Sequence, residues 1–216
     1  IITHEPRTEL VSSTYTFTDI TGMVSSPYNN SNYQYAYTLT ADGKLYSIKR
    51  NGTLTKLLDD VNQISVLPPK QDTLLAECSG TIYKIVYYPG GSSTTPTVTE
   101  LYTLPKKKSI ILPTGYNPEY PLPAKLIICD GNLYAGSNCI SNTGSWTQVS
   151  VGYECGYGID NGNLYRIYGT NSQWYNQTPK SSDITLVDNT KIWSYVLCQY
   201  STAYAFTSIE DRKSVV

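Results

Sequence analysis

Only one histidine, one methionine and two phenylalanines occur among 216 residues, and charged side chains make up 15%, against about 25% in an ordinary globular domain. Each scarcity excludes something. The lone imidazole, His4, stands beside Glu5 and Pro6 near the N-terminus, where nothing holds it in place for a nucleophile–histidine–acid triad or for metal ligation. The formal charge is −1 and the one basic run, Lys106-Lys107-Lys108, follows a proline in a loop, so no basic stripe is available for nucleic acid. Apolar runs reach only about four residues, too short for membrane insertion. No glycine-rich loop leads into a helix, which leaves no phosphate cradle, and helical periodicity never lasts much beyond a turn. Neither a cofactor nor a metal is expected.

Cysteine is sparse in pattern as well as in number. Cys78, Cys129, Cys139, Cys155 and Cys198 contain no Cys-x-x-Cys pair, so they form neither a zinc site nor a dense disulfide framework. Small buried hydrophobes are the expected role, with one disulfide as the alternative. An odd count leaves at least one thiol unpaired unless the chain is linked to another.

Tyrosine, at 21 residues, and Ser, Thr and Asn supply the polar surface instead of Lys and Glu. That composition is associated with exported or virion-surface β-proteins, and the chain begins Ile1-Ile2-Thr3 rather than with methionine, as a processed form or an excised domain would. Three Asn-x-Ser/Thr sequons, at Asn29, Asn51 and Asn176, permit glycosylation in a secretory pathway. The expected location is extracellular, on a cell or virion surface.

The strongest positive signal is a repeat. Gly43-Lys44-Leu45-Tyr46, Gly80-Thr81-Ile82-Tyr83, Gly131-Asn132-Leu133-Tyr134 and Gly162-Asn163-Leu164-Tyr165 each follow a turn former, respectively Asp42, Ser79, Asp130 and Asn161. A turn residue plus glycine between strand-forming runs marks a hairpin. Ala203 to Val216 reads like Tyr35 to Ile48, a fifth copy that stops early, while Thr8–Ser13 and Thr18–Val24 resemble Thr53–Leu58 and Val61–Val66. The expectation is therefore a single all-β domain over 1–216: a five-bladed β-propeller of about 43 residues per blade, its ring closed by strands from both termini. In unit one, Tyr35–Thr40, Lys44–Arg50, Thr53–Leu58 and Val61–Leu67 are expected as strands A to D. Leu45 alternates with Tyr46 and Ile48, so both faces of strand B are apolar, as a sheet packed between two neighbours requires.

With Trp146-Thr147-Gln148-Val149 leading into the next unit, these repeats resemble those of regulator-of-chromosome-condensation-like and tachylectin-like propellers. The resemblance covers nearly the whole chain but rests on a short motif, so it implies a fold more than a function. A Trp-Asp pair, a kelch di-glycine and the Asp-box of sialidases are absent.

No catalytic residues are assigned. Some glycosidases are five-bladed propellers with paired acids, but Glu77, Glu154 and Asp160 sit at different distances from their turn glycines, so they are not expected to converge. The D–A and B–C loops of a propeller share one face, and here they are rich in rings and amides, including Asn138 and Asn142. Tyr33, Tyr116, Tyr120, Tyr153, Trp174 and Tyr200 are candidate stacking platforms, with Asn32, Asn117 and Asn171 as hydrogen-bond partners; rigid rings give contact area at low entropy cost. The expected function is a non-catalytic attachment module binding a glycan or a surface receptor. The alternative is a structural propeller docking other protein subunits of a filament, capsid or surface layer.

Overall fold

The computed structural model describes residues 14–20, 35–49, 52–66, 73–87, 95–104, 109–115, 126–152, 156–167, 178–199 and 202–207. Nearly all regular structure among them is strand, the exception being a single 3-10 turn at Ser181–Asp183. Sheet one is a meander of β1 (Phe17–Ile20), β2 (Tyr35–Thr40), β3 (Leu45–Lys49) and β4 (Leu54–Leu58). Sheet two repeats it with β5 (Gln63–Val66), β6 (Thr73–Cys78), β7 (Thr81–Val86) and β8 (Thr97–Thr103). Sheet three uses β9 (Ile110–Ile111), β11 (Leu126–Cys129), β12 (Asn132–Ala135) and β13 (Asn138–Ser141). Sheet four runs through β14 (Trp146–Val151), β15 (Gly156–Asp160), β16 (Asn163–Arg166) and β17 (Thr185–Asp188), with the short β10 (Thr114–Gly115) added parallel to β14. The fifth sheet is the pair β18 (Trp193–Gln199) and β19 (Thr202–Thr207). This is a propeller-like series of antiparallel sheets.

The phase of the repeat differs from the sequence expectation. The sequence pattern places Val61–Leu67 at the end of unit one, but β5 pairs with β6 and opens sheet two. The cause lies in the residues just before it. Asp60 takes a left-handed φ of 59°, the Val61 N–H donates to the Gly43 carbonyl (2.8 Å), and the Asn62 N–H donates to the Glu77 carbonyl of the next sheet (2.8 Å). The chain is thereby turned off β4 and laid against β6. Sheets one to four accordingly each consist of one unit's strand D followed by the next unit's A, B and C, and the described strands of the fifth begin the same way. Asn138–Ser141 and Trp146–Val151 resolve the third unit in the same way.

The repeat glycines behave as their turns demand. Gly43, Gly80, Gly131 and Gly162 all have φ between 73° and 78°, and Ser79, Asp130 and Asn161 before them lie between 47° and 50°. Two left-handed residues in succession make a type I′ hairpin turn, whose twist matches the flanking strands. The first copy departs from this: Asp42 is not left-handed, and Thr40 pairs with Lys44 around a three-residue loop, Ala41-Asp42-Gly43.

Every one of these glycines also receives the next sheet. Its carbonyl accepts an N–H from the chain that follows the fourth strand: Gly43 from Val61, two residues before β5, Gly80 from Leu104, just after β8, Gly131 from Trp146 and Gly162 from Trp193, the first residues of β14 and β18, at 2.8 to 3.0 Å. Below these links, apolar clusters seal consecutive sheets. Tyr37, Leu39, Leu45, Ile64, Leu74 and Ile85 join one to two; Leu75, Ile82, Leu104 and Ile127 join two to three. Leu126, Leu133, Trp146 and Val149 join three to four, and Ile159, Leu164 and Val196 join four to five. The Leu or Ile of every Gly-x-Leu-Tyr copy is at most 7% exposed, and on the other face Tyr46 packs on Tyr15 and Tyr165 on Trp146. In sheet four burial falls from first strand to last: β14 is buried at five of six positions, whereas β17 is exposed at three of four.

These packing distances order the glycine substitutions. A Cβ on Gly131 would overlap the Gly144 backbone carbonyl, on Gly43 or Gly162 it would come within 3.3 Å of a neighbour, and on Gly52 or Gly136 it would meet nothing. Gly52→Ala and Gly136→Ala should therefore cost only the left-handed penalty, about 1 kcal/mol. Gly131→Ala should cost clearly more than either in a denaturant series, and equal losses would contradict the packing described.

Candidate functional site

Because strands alternate in direction within each sheet, connections leaving first and third strands emerge on one side, and those leaving second and fourth strands on the other. The second side is the described one. It carries the glycine turns and the segments that cross from sheet to sheet, and its acidic residues serve those segments. Glu77, 4% exposed, accepts the Gly80 N–H through Oε1. Asp160 Oδ1 accepts from Ser145 Oγ and, at 3.0 Å, from Thr143 Oγ1. Asp130 Oδ1 accepts the Ser109 N–H at 2.9 Å. Hydrogen bonds from Lys44 and then Thr40 hold the Asp42 carboxyl below the ordinary carboxylate value.

At the seam of sheets one and two the turn side opens into a groove of about 800 Å³, lined by Thr40, Asp42, Asp60, Asn62, Ser79 and Tyr83 among others. Its size falls within the range of small-ligand pockets, about 300 to 1,000 Å³, but its lining is mostly hydroxyl, amide and carboxylate. Cys78 also borders it, and burial, helped by the charges of Glu77 and Asp60, pushes that thiol up to about 11. The thiol therefore stays protonated and unreactive at neutral pH. Cys129 and Cys198 are buried as expected, whereas Cys139 is exposed; Cys155 lies outside the described residues.

A second polar feature joins the first strands. β5, β9 and β18 are edge strands, so one row of their backbone groups lacks a full ladder partner, and β14 is flanked on that side only by the two-residue β10. Side chains of the neighbouring first strand fill that need. Gln63 Oε1 accepts the Leu112 N–H (2.9 Å) and Ser65 Oγ donates to the Pro113 carbonyl (2.6 Å). Gln148 Oε1 accepts the Val196 N–H (2.6 Å), and Ser150 Oγ accepts the Cys198 N–H (2.8 Å) while donating to the Thr114 carbonyl (3.0 Å). The signal is present in the sequence as Gln63-Ile64-Ser65-Val66 and Gln148-Val149-Ser150-Val151, a repeat that strand patterning alone does not single out.

Of the expected ligand residues, Asn32, Tyr33, Tyr116, Asn117, Tyr120, Tyr153, Asn171, Trp174 and Tyr200 all lie outside the described residues, as do the sequons at Asn29, Asn51 and Asn176. The flanking strands still assign their connections. Segments 21–34, 153–155 and 200–201 each follow a first strand, 116–125 follows β10, which runs parallel to the first strand β14, and 168–177 follows a third strand. Asn138 begins β13, next to such a connection, but Asn142 follows the fourth strand and belongs to the opposite side. Of the acids weighed for catalysis, Glu77 and Asp160 hold turns in different sheets, and Glu154 lies outside the described residues.

No protein-family model matches the chain, and no curated protein matches it. Among solved structures, human WBSCR16 is similar in fold, with a TM-score of 0.52 at 12% identity over 90% of this chain and 58% of that one. Yeast RCC1 (Prp20), solved bound to Kap60, gives 0.47 at 14% identity over 94% and 57%. The likeness to WBSCR16 supports a propeller-like fold and no more than the fold. The chain spans less than two thirds of either protein.

The seam bridges give a contrast of opposite sign. Gln148→Ala strands the buried Val196 N–H and should cost about 1 to 3 kcal/mol. Ser47, fully buried, has a hydroxyl without a partner, so Ser47→Ala should be neutral or stabilising. Chemical denaturation of both variants checks the pair; a larger loss from Ser47→Ala would overturn this account of the seams.

Proposed function

We propose that the chain is a non-catalytic binding module on a cell or virion surface, built as a five-bladed propeller that binds a glycan through the side opposite the glycine turns. The observation carrying this reading is the alternation of strands: β1, β10, β14, β16 and β18 all end on the side opposite the glycine turns, and 21–34, 116–125, 153–155, 168–177 and 200–201 follow them in sequence. Those segments hold Tyr33, Tyr116, Tyr120, Tyr153, Trp174 and Tyr200 together with Asn32, Asn117 and Asn171. Rings cover the apolar faces of sugars, and amides exchange hydrogen bonds with their hydroxyls. Shallow polar sites gain little over water, so roughly millimolar to micromolar affinity per site is expected, strengthened by multivalency.

Ring closure belongs to the same proposal. The Ala41 N–H donates to the Thr16 carbonyl as the Asp130 N–H does to Ser109 and the Asn161 N–H to Ser145. Thr16 thus stands where a crossing segment stands in sheets three and four, and residues 8–13 precede it in the position of a fourth strand. We assign that strand to the fifth sheet. Deleting residues 1–13, which leaves β1 intact, should then lower the melting temperature and promote aggregation; an unchanged, cooperative monomer would contradict closure.

One observation favours the subunit-docking alternative. Tyr195, Tyr204 and Phe206, 42 to 50% exposed, line the side of the β18–β19 pair that faces away from sheet four. Ligand-observed NMR against mono- and oligosaccharides, alongside light scattering, separates the readings. Sugar binding that disappears in Trp174→Ala and Tyr116→Ala supports the glycan module. No binding at millimolar sugar, with self-association abolished by Tyr204→Ser, supports docking.

A further inference from the structure

The groove between sheets one and two is a departure from the repeat, and the departure has a local cause. The other three glycine turns are two residues long, but the first contains an extra residue, Ala41-Asp42-Gly43. At the seam of sheets three and four the crossing segment lies so close that a Cβ on Gly131 has no room, whereas one on Gly43 would stand 3.3 Å from the Val61 carbonyl, tight but not overlapping, as it would on Gly162 against Ile192. The residue before each captured N–H also differs. Asp60 precedes Val61 where Thr103, Ser145 and Ile192 precede Leu104, Trp146 and Trp193. Ser145 is bonded to Asp160, and Thr103 to Thr81. Asp60 has no hydrogen-bond or ion-pair partner among the described residues, yet its backbone is fixed on the C-terminal side by the bonds of Val61 and Asn62.

The groove therefore presents one uncompensated carboxylate, since Asp42 is already paired with Lys44. Beside it are the Asn62 amide, the Ser79 hydroxyl and the Tyr83 ring. A phosphate ligand would need a cation here, and the nearby Lys44 is held by Asp42. An apolar ligand would need an apolar lining. A divalent ion would need several free oxygens. A carboxylate that accepts from adjacent hydroxyls, an amide that both donates and accepts, and a ring against C–H faces together match a polyol ring. We propose that this groove is a second saccharide site, distinct from the opposite loop side, which takes neutral or amino-bearing sugars and rejects anionic ones.

Glucose, glucosamine and glucuronic acid share a ring and differ in charge, so they isolate the role of Asp60. Titrating each into the whole chain and following the amide resonances of Asp60, Asn62 and Tyr83 reads this site directly. Glucosamine is expected to bind at least about fivefold more tightly than glucuronic acid, with glucose between them; the difference should shrink as salt screens the exposed carboxylate. Asp60→Asn, which tolerates the left-handed backbone, should abolish that ranking while leaving the fold intact. Tyr83→Leu should weaken all three sugars together. No shift at these residues with any of the sugars at tens of millimolar overturns the site, as does a ranking unchanged in Asp60→Asn. Sugar binding that vanishes in Trp174→Ala but is unweakened in Tyr83→Leu would also overturn it while upholding the loop side, and the converse result would overturn the loop side alone.

Discussion

The hydrogen bond from the chain leaving each fourth strand to the carbonyl of the preceding turn glycine is what the rest of this fold depends on. Left-handed backbone at glycine turns that carbonyl outward from the hairpin, where an ordinary hairpin end would offer it to water. The following chain answers it at Val61, Leu104, Trp146 and Trp193, and in doing so is held at the turn of its own sheet as it leaves the fourth strand. Without that capture, the strand after β4 would have every reason to continue the meander and leave Leu45, Ile64 and Leu74 without a common interior. One backbone bond therefore converts a string of hairpins into stacked sheets, and the apolar burial follows from it.

That dependence explains what the sequence disclosed. Turn chemistry is local: a turn former plus glycine dictates a hairpin by steric preference alone, so the positions of all four hairpins could be read directly, though not the extra residue in the first. The phase of the repeat could not, because whether residues 63–66 belong with β4 or β6 is decided by bonds to Gly43 and Glu77, neither of them adjacent in sequence. Gln148 and Ser150 were likewise invisible to strand propensity. Their task is to satisfy Val196 and Cys198 on a strand some 48 residues away, and only the recurrence of Gln-x-Ser at 63 and 65 hints at it.

The candidate sites divide along the same line. The tyrosine- and asparagine-rich segments were recognisable by composition, and strand direction fixes which side they leave from, while their own placement lies outside the described residues. Asn142 shows the limit of composition, since it resembles its neighbours chemically but leaves from the wrong strand. The groove beside Asp60 required the opposite kind of information. Nothing about Asp42-Gly43 in isolation distinguishes it from Asp130-Gly131; the difference is one residue of loop length and its effect on a crossing segment seventeen residues later.

Joining sheets through single backbone bonds and side-chain bridges also leaves each seam free to vary. A continuous ladder would impose one spacing on every pair of sheets. Here the third seam closes until Gly131 meets Gly144, and the first opens into a groove. The side chains between sheets, not the ladder, set each approach: Trp146 and Tyr165 fill one seam, Tyr37 and Ile64 another. A propeller assembled this way can change a single seam by one loop residue without disturbing its neighbours, because the link that places the next sheet is made by a glycine carbonyl whose position the longer loop preserves.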